Sequence, residues 1–193
     1  MRVLLVDDHP LFRQALAATV RQINPDIAIE QVDTLSDARK KLSGDCDDTL
    51  VLLDLKLPDS HGISGLLGLK AYAPGVKVAI VSASDDRETV QTALACGAAG
   101  FISKAVGVEE LTAAIETLFA GESWFVEHDP ETVRDPLTPA QARILEGVHR
   151  GLMNKQIAFE MGLSEATIKY HLTGIFRKLG VQTRAQLLTL ARD

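Results

Sequence analysis

Leu50-Val51-Leu52-Leu53-Asp54 is a run of four apolar residues, without alternation, that ends in a carboxylate. A strand with no polar face belongs in a parallel sheet covered on both sides, because neither of its faces meets water. Four similar runs bracket it: Val3-Leu4-Leu5-Val6, Ala28-Ile29-Glu30-Gln31-Val32, Val76-Lys77-Val78-Ala79-Ile80-Val81 and Gly100-Phe101-Ile102. Amphipathic stretches near 10–22, 35–43, 63–71, 86–96 and 108–120 alternate with these runs, so the spacing predicts five βα units. The expected fold is α/β, with a doubly wound five-stranded parallel sheet. In such sheets ligands bind outside the carboxyl ends of the strands, so the residue after each run is where chemistry is to be sought.

The chain continues beyond this domain. Of its 193 residues, 46% are hydrophobic, ample for packed cores. Up to Pro136 there are 12 Lys and Arg against 22 Asp and Glu, and after it 8 against 4, so the two parts carry net charges of −10 and +4. An acidic part joined to a basic one fits a regulatory or cation-binding domain followed by one that meets nucleic acid. Glu122 to Asp135 is acidic, holds Pro130 and lacks a helical period, so 122–136 reads as a linker between a domain at 1–121 and another at 137–193. Within the linker, Trp124-Phe125-Val126 is expected to pack on one of the two domains.

The second domain reads as four helices. Thr138-Pro139-Ala140-Gln141 supplies an N-cap, a proline at the first helical position and a capping-box glutamine, and the helix runs to about Arg150. Gly151 stops it; Asn154 is expected to cap a short helix ending near Gly162, and Ser164 a third reaching Gly180. Thr183, with Gln186, opens a fourth. Two short helices joined by Gly162-Leu163-Ser164 have the proportions of a helix-turn-helix.

No apolar run approaches eighteen residues, and Met1-Arg2-Val3-Leu4-Leu5-Val6-Asp7-Asp8 meets carboxylates too early for a signal peptide. A cytoplasmic protein with no membrane association is expected. Cys46 and Cys96, without CxxC spacing, read as buried thiols rather than a disulfide or metal site.

Five residues should converge at one edge of the sheet: Asp7 and Asp8 after the first strand, Asp54 after the third, Ser82 after the fourth and Lys104 after the fifth. Three carboxylates brought together repel unless a cation neutralises them, and oxygen-only ligands suit Mg²⁺. With such an ion present, an aspartate can attack a phosphoryl group in line while a lysine ammonium and a hydroxyl bind the other oxygens. Asp59 and the pair Asp85-Asp86 read instead as turn and capping residues, and His9 and His61 as helix-start and loop residues.

Val6-Asp7-Asp8-His9, Asp54-Leu55-Lys56-Leu57-Pro58-Asp59-Ser60-His61-Gly62, Val81-Ser82-Ala83 and Gly100-Phe101-Ile102-Ser103-Lys104 together resemble the flavodoxin-like receiver domains of two-component response regulators, over residues 1 to about 121. The resemblance implies that Asp54 accepts the phosphoryl group from a partner histidine kinase. It implies Asp8 and Asp54 as direct Mg²⁺ ligands, Asp7 acting through water and Lys56 through its backbone carbonyl. Ser82 and Lys104 would bind the phosphoryl oxygens, and Phe101 would reorient as Ser82 moves, although that phenylalanine also fits plain strand core. Lys56 places a second cation beside the loop, with dephosphorylation as the step it would alter.

In the helix after Ser164, Ile168, Leu172, Ile175 and Leu179 recur at helical spacing as a buried stripe, with Ala166, Lys169, Tyr170, Thr173 and Arg177 roughly opposite. Leu137-Thr138-Pro139, Gly151-Leu152-Met153-Asn154-Lys155-Gln156-Ile157-Ala158 and Leu163-Ser164-Glu165-Ala166-Thr167-Ile168-Lys169-Tyr170-His171-Leu172 resemble the LuxR/NarL/FixJ-type DNA-binding domain. That resemblance implies base contacts from Lys169, Tyr170 and Thr173, and phosphate contacts from Asn154, Lys155, Thr167, His171 and Arg177. It also implies pairing of two copies on double-stranded DNA through the last helix, whose Leu187, Leu188 and Leu190 fit equally a role in closing the domain core. Gly174 stands where the family frequently has asparagine; it costs ~1 kcal/mol of helix propensity against alanine, and either permits close backbone approach or has no role.

The function expected is a transcription factor in which phosphorylation of Asp54 controls dimerisation and DNA binding, with self-phosphorylation and self-dephosphorylation as its only catalysis. A DNA-binding protein whose receiver is merely an interaction module is the alternative, opposed by the intact Asp8, Asp54, Ser82 and Lys104 set. A stand-alone phosphatase would need an acid-base residue two positions beyond Asp54, where Lys56 stands.

Overall fold

The computed structural model describes residues 1–43, 46, 48–125 and 136–190. The first domain runs β1 (Arg2–Val6), α1 (Pro10–Ile23), β2 (Ala28–Val32), α2 (Leu35–Lys41), β3 (Thr49–Leu53), a hairpin of β4 (Lys56–Leu57) and β5 (Ser60–His61), α3 (Ser64–Tyr72), β6 (Lys77–Ser82), α4 (Arg87–Ala95), β7 (Gly100–Ser103), α5 (Val108–Phe119) and β8 (Trp124–Phe125). The main sheet is parallel in the order β2-β1-β3-β6-β7-β8. The strand order reverses between β1 and β3, which opens a crevice where Asp7, Asp8 and Asp54 emerge.

Alternate residues of each central strand enter different cores. Val3, Leu5, Leu50 and Leu52 join Leu16, Val20 and Ile115 on the side of α1 and α5. Leu4, Val6, Val51 and Leu53 face the other way, among residues of α2, α3 and α4. Both faces of β3 are thus dry, as its unbroken apolar run requires.

The sheet has six strands rather than five. Trp124–Phe125, in the stretch read as linker, pairs with Gly100–Phe101 as a parallel edge strand. Glycine at position 100 permits this: a Cβ there would lie 2.8 Å from the Trp124 carbonyl oxygen and 3.1 Å from Leu118 Cδ2. A two-residue strand has too little pattern to be seen in sequence. Val126 and the rest of the expected linker through Asp135 lie outside the described residues. Gly100→Ala is expected to lower stability by about 1–3 kcal/mol and to red-shift Trp124 fluorescence, both measurable in one urea titration.

The second domain comprises α6 (Pro139–His149), α7 (Asn154–Met161), α8 (Glu165–Leu179) and α9 (Arg184–Thr189). Capping boxes form at Thr138/Gln141 and Thr183/Gln186, and Ser164 accepts from Thr167 N–H. Gly162 and Gly180 end their helices in the left-handed conformation that glycine adopts without strain. Asn154 departs from expectation: it is the first helical residue, and Met153 occupies the N-cap with Gln156 Oε1 accepting its N–H. α6 packs along α3, and Leu137 N–H donates to Ala95 O at 2.7 Å, so the two domains are in contact. No helix among the described residues is long and apolar enough to cross a membrane.

Candidate functional site

At the carboxyl ends of β1 and β3, Asp7 and Asp54 are 1% and 4% exposed. The Lys104 ammonium, projected from the end of β7, lies 2.6 Å from Asp54 Oδ2 and 2.8 Å from Asp7 Oδ2. The Phe12 ring lies beneath the ammonium, 4.8 Å from its centroid, and helps to fix its position by cation–π attraction. The other Asp54 oxygen, Oδ1, accepts the Lys56 N–H at 3.2 Å. Ser82 is buried at the end of β6, where its Oγ accepts the Ser84 N–H. Phe101 is fully buried in the core shared with α4, which gives the aromatic a packed resting place.

His9 is the residue that sequence reading undervalued. It occupies the N-cap position of α1 without capping it through its side chain. Instead Nδ1 lies 2.7 Å from Asp8 Oδ1 and 3.2 Å from Asp7 Oδ1. Together Asp7, Asp8, His9 and Asp54 present ligand atoms within 4.8 Å of one another. Adjacency to Asp7-Asp8 was the available signal, but which way the ring turns is decided only by the folded pocket. One lysine faces three carboxylates here, so the pocket is short of positive charge, and its oxygen-rich donor set can hold a divalent cation.

Lys56 extends its side chain into solvent, and Leu57 and Ser60, on the same hairpin, are buried. Asp86 caps α4 as expected, accepting from Thr89 N–H at 2.9 Å. Asp59 also caps a helix, but not its own neighbour in sequence: its carboxylate accepts the N–H groups of Leu35 and Ser36 at 2.8 and 2.9 Å, at the start of α2. Cys96 is buried, and loss of water pushes its thiol up to about 12, so it stays protonated.

On α8, Ile168, Leu172 and Ile175 are buried, whereas Lys169, Tyr170, Thr173 and Arg177 are exposed on the opposite side. Lys155 is exposed at the start of α7. Lys169 pairs with Glu165 at 3.1 Å, the Tyr170 and His171 rings meet edge to face, Thr167 hydrogen-bonds Ser164, and Thr173 donates to the Lys169 carbonyl. Asn154 turns inward to accept from Arg184 on α9 at 3.1 Å. Gly174 has a reason in packing: a Cβ there would stand 3.0 Å from Gln141 Nε2 of α6. Leu187 is fully buried and closes the core, with Leu188 and Leu190 partly covered against it.

α9 is further held by His149, whose Nε2–H donates to the Leu187 carbonyl at 3.1 Å. Its Nδ1 is buried without a partner. Burial, with Arg184 nearby, keeps the imidazole below its ordinary pKa. The unfolded chain therefore binds a proton that the folded one refuses, and stability present above about pH 6.5 is lost as pH falls below it. The urea midpoint is expected to drop between pH 7.5 and 5.5 by less in His149→Gln than in wild type; equal slopes would remove His149 as the cause.

Comparison with known proteins agrees with this geometry. Residues 3–116 match the family described as response regulator receiver domain, and residues 135–191 match bacterial regulatory proteins of the luxR family. The chain is 36% identical to the glycerol metabolism activator of Pseudomonas putida, over all of this chain and 95% of that one. It is 30% identical to the nitrate/nitrite response regulator protein NarL of Escherichia coli K12, over 95% and 91%. Among solved structures, RcsB from Salmonella enterica serovar Typhimurium, bound to a promoter with a phosphomimetic, superposes with a TM-score of 0.59 at 20% identity, covering 99% of this chain and 98% of that one. The chain thus belongs to the two-component response regulators, as a transcription regulator that joins a receiver domain to a LuxR-type helix-turn-helix.

Proposed function

We propose that Asp54 is the phosphoacceptor, and that its phosphorylation by a sensor histidine kinase controls pairing of two copies and sequence-specific binding to double-stranded DNA. The observation that carries this reading is Asp54 itself, a buried carboxylate at the strand-order reversal with Lys104 at 2.6 Å. A carboxylate oxygen of Asp54 attacks the phosphorus in line; the donor P–N bond breaks, and its electron pair goes to the imidazole nitrogen, which takes up a proton. Lys104 then exchanges the neutralised carboxyl for a phosphoryl oxygen, and the Ser82 hydroxyl donates to another. Phe101 follows Ser82 and carries the change to the sheet edge.

Asp8 and Asp54 would hold Mg²⁺ directly, Asp7 through water and Lys56 through its carbonyl. When bound, the ion supplies positive charge for the transferring phosphoryl oxygens. The receiver spans 1–121, with Trp124–Phe125 as an appended strand, 122–136 joins the domains, and 137–193 binds DNA in the cytoplasm. Lys169, Tyr170 and Thr173 read bases, while Lys155, Thr167, His171 and Arg177 meet phosphates. Asn154 joins them only by leaving Arg184.

The test is binding to DNA selected from a random pool, with Mg²⁺ and a small phosphodonor. The donor should tighten wild-type binding by roughly 5–150-fold, the range of common allosteric couplings, and leave Asp54→Asn unchanged. Equal binding by both proteins, with or without donor, would exclude gating.

A further inference from the structure

Asp7-Asp8-His9-Pro10 folds so that an imidazole joins a pocket otherwise built of carboxylates and one ammonium. Asp7 Oδ1 accepts the His9 N–H at 2.8 Å, and Pro10 begins α1, so the His9 backbone is held extended between β1 and the helix. The ring sits at the rim of the pocket, with 62% of the side chain exposed. Its Nδ1 nevertheless faces the carboxylates, 2.7 Å from Asp8 Oδ1, 3.2 Å from Asp7 Oδ1 and 3.7 Å from Asp54 Oδ2.

The shortest of these contacts is not a hydrogen bond. Nδ1 is within hydrogen-bond reach of Asp7 Oδ1, but Asp8 Oδ1, nearer still, is buried and has no hydrogen-bond partner among the described residues. A buried oxygen left in this way is costly, and a cation shared with Nδ1 satisfies both atoms. Donors bound to one first-row ion at about 2.0–2.2 Å stand roughly 2.8–3.6 Å apart at right or tetrahedral angles. The separations of 2.7 to 3.7 Å around Nδ1 span that range. The Lys104 ammonium does not take these places, since it pairs with Oδ2 of Asp7 and of Asp54, whereas the oxygens nearest His9 are Asp7 Oδ1 and Asp8 Oδ1.

A nitrogen donor changes which ion such a pocket favours. Mg²⁺ prefers oxygen and gives up its waters reluctantly, whereas imidazole suits the first-row transition ions, whose affinity for mixed nitrogen and oxygen sites rises from Mn²⁺ to Cu²⁺. We propose that His9 Nδ1 is a ligand of the cation in this pocket, beside Asp8 and Asp54, and that the pocket takes a divalent first-row transition ion in preference to Mg²⁺. The oxygen-only set implied by the family resemblance lacks the donor on which this selectivity depends. The inference rests on the reading that the pocket holds a divalent cation, and not on phosphorylation of Asp54. Occupancy of the pocket then follows the supply of transition ions as well as that of Mg²⁺.

The full chain, free of any affinity tag, is titrated calorimetrically with Ni²⁺ and with Mg²⁺ as wild type, His9→Gln, His61→Gln and Asp8→Asn, each checked for folding by circular dichroism. His61, on the neighbouring hairpin, is outside the cluster of donors and serves as the control. Wild type should bind Ni²⁺ about a hundredfold or more tighter than Mg²⁺. His9→Gln should weaken Ni²⁺ binding about tenfold or more and Mg²⁺ binding by less than about threefold, His61→Gln should change neither, and Asp8→Asn should weaken both. Pulsed electron paramagnetic resonance of the Mn²⁺-loaded protein should show modulation by an imidazole nitrogen in wild type and none in His9→Gln. Unchanged Ni²⁺ affinity in His9→Gln, equal losses for the two ions, or absence of nitrogen modulation in wild type would overturn ligation by His9. Ni²⁺ affinity that survives Asp8→Asn would put the ion elsewhere and overturn it as well. If wild type binds neither ion, the cation reading of the pocket falls too; if Mg²⁺ binds and His9 is indifferent, only the present inference falls.

Discussion

Asp54→Asn is expected to form no acyl phosphate with any donor, on phosphate-affinity gels or by mass spectrometry, while remaining fully folded. An amide oxygen is too weak a nucleophile to replace a carboxylate, and no other carboxylate shares the place of Asp54. Asp7 is as deeply buried and shares Lys104 with Asp54, but it follows β1 rather than β3, and Asp8 is partly exposed beside His9. The same substitution should leave the thermal midpoint unchanged or raise it when Mg²⁺ is absent. Removing one of three clustered carboxylates relieves repulsion, and Lys104 keeps Asp7 at 2.8 Å as its partner. Phosphate uptake by the variant at the wild-type level would move the acceptor elsewhere and end the reading of this pocket.

The second large effect concerns α8. Lys169→Ala should weaken binding to a selected DNA site by about 1–3 kcal/mol and relax preference at one base position. Arg177→Ala should weaken binding to all sequences alike and lower the slope of log K against log salt by about 1. The difference follows from position. Lys169 lies in the first half of α8, close to the end that would enter a groove in a helix-turn-helix docking, and pairs with Glu165 in the free protein. Arg177 lies in the last turn, exposed, two turns further on. Fluorescence anisotropy over a salt series separates the two behaviours. Wild-type affinity in both variants would mean that another face of the domain meets DNA.

Residues that act through their own neighbourhood were legible in the sequence. Asp7, Asp8, Asp54, Ser82 and Lys104 each end or follow a strand, and in a parallel sheet all such ends lie on one edge, so their convergence follows once the strands are recognised. The capping boxes at Thr138 and Thr183 and the stripe of Ile168, Leu172 and Ile175 repeat over three or four residues, within reach of local reading. Less legible was anything settled by a distant partner. Asn154 looked like a cap and lies one residue inside the helix, drawn to Arg184. Gly174 had no decided role in the sequence, and the fold sets Gln141 of α6 against it. His9 does start a helix, as its place suggested, but the direction of its ring, toward the adjacent carboxylates, depends on a side-chain rotation that no sequence pattern sets.

By itself, then, the sequence determined the alternation of strands and helices, the edge where the carboxylates meet, the helix-turn-helix and the exposed side of α8. Each of these depends on periodicity and on hydrogen bonds that close within a few residues. Only the tertiary structure decided that Trp124–Phe125 extends the sheet, that Asp59 caps α2 from 24 residues away, and that Arg39 meets Glu146 at a separation of 107. Arginines and glutamates are numerous and alike in a chain, so composition cannot say which two will meet. That choice is made when apolar surfaces such as α3 and α6 pack and bring one pair, among many chemically equal ones, within reach.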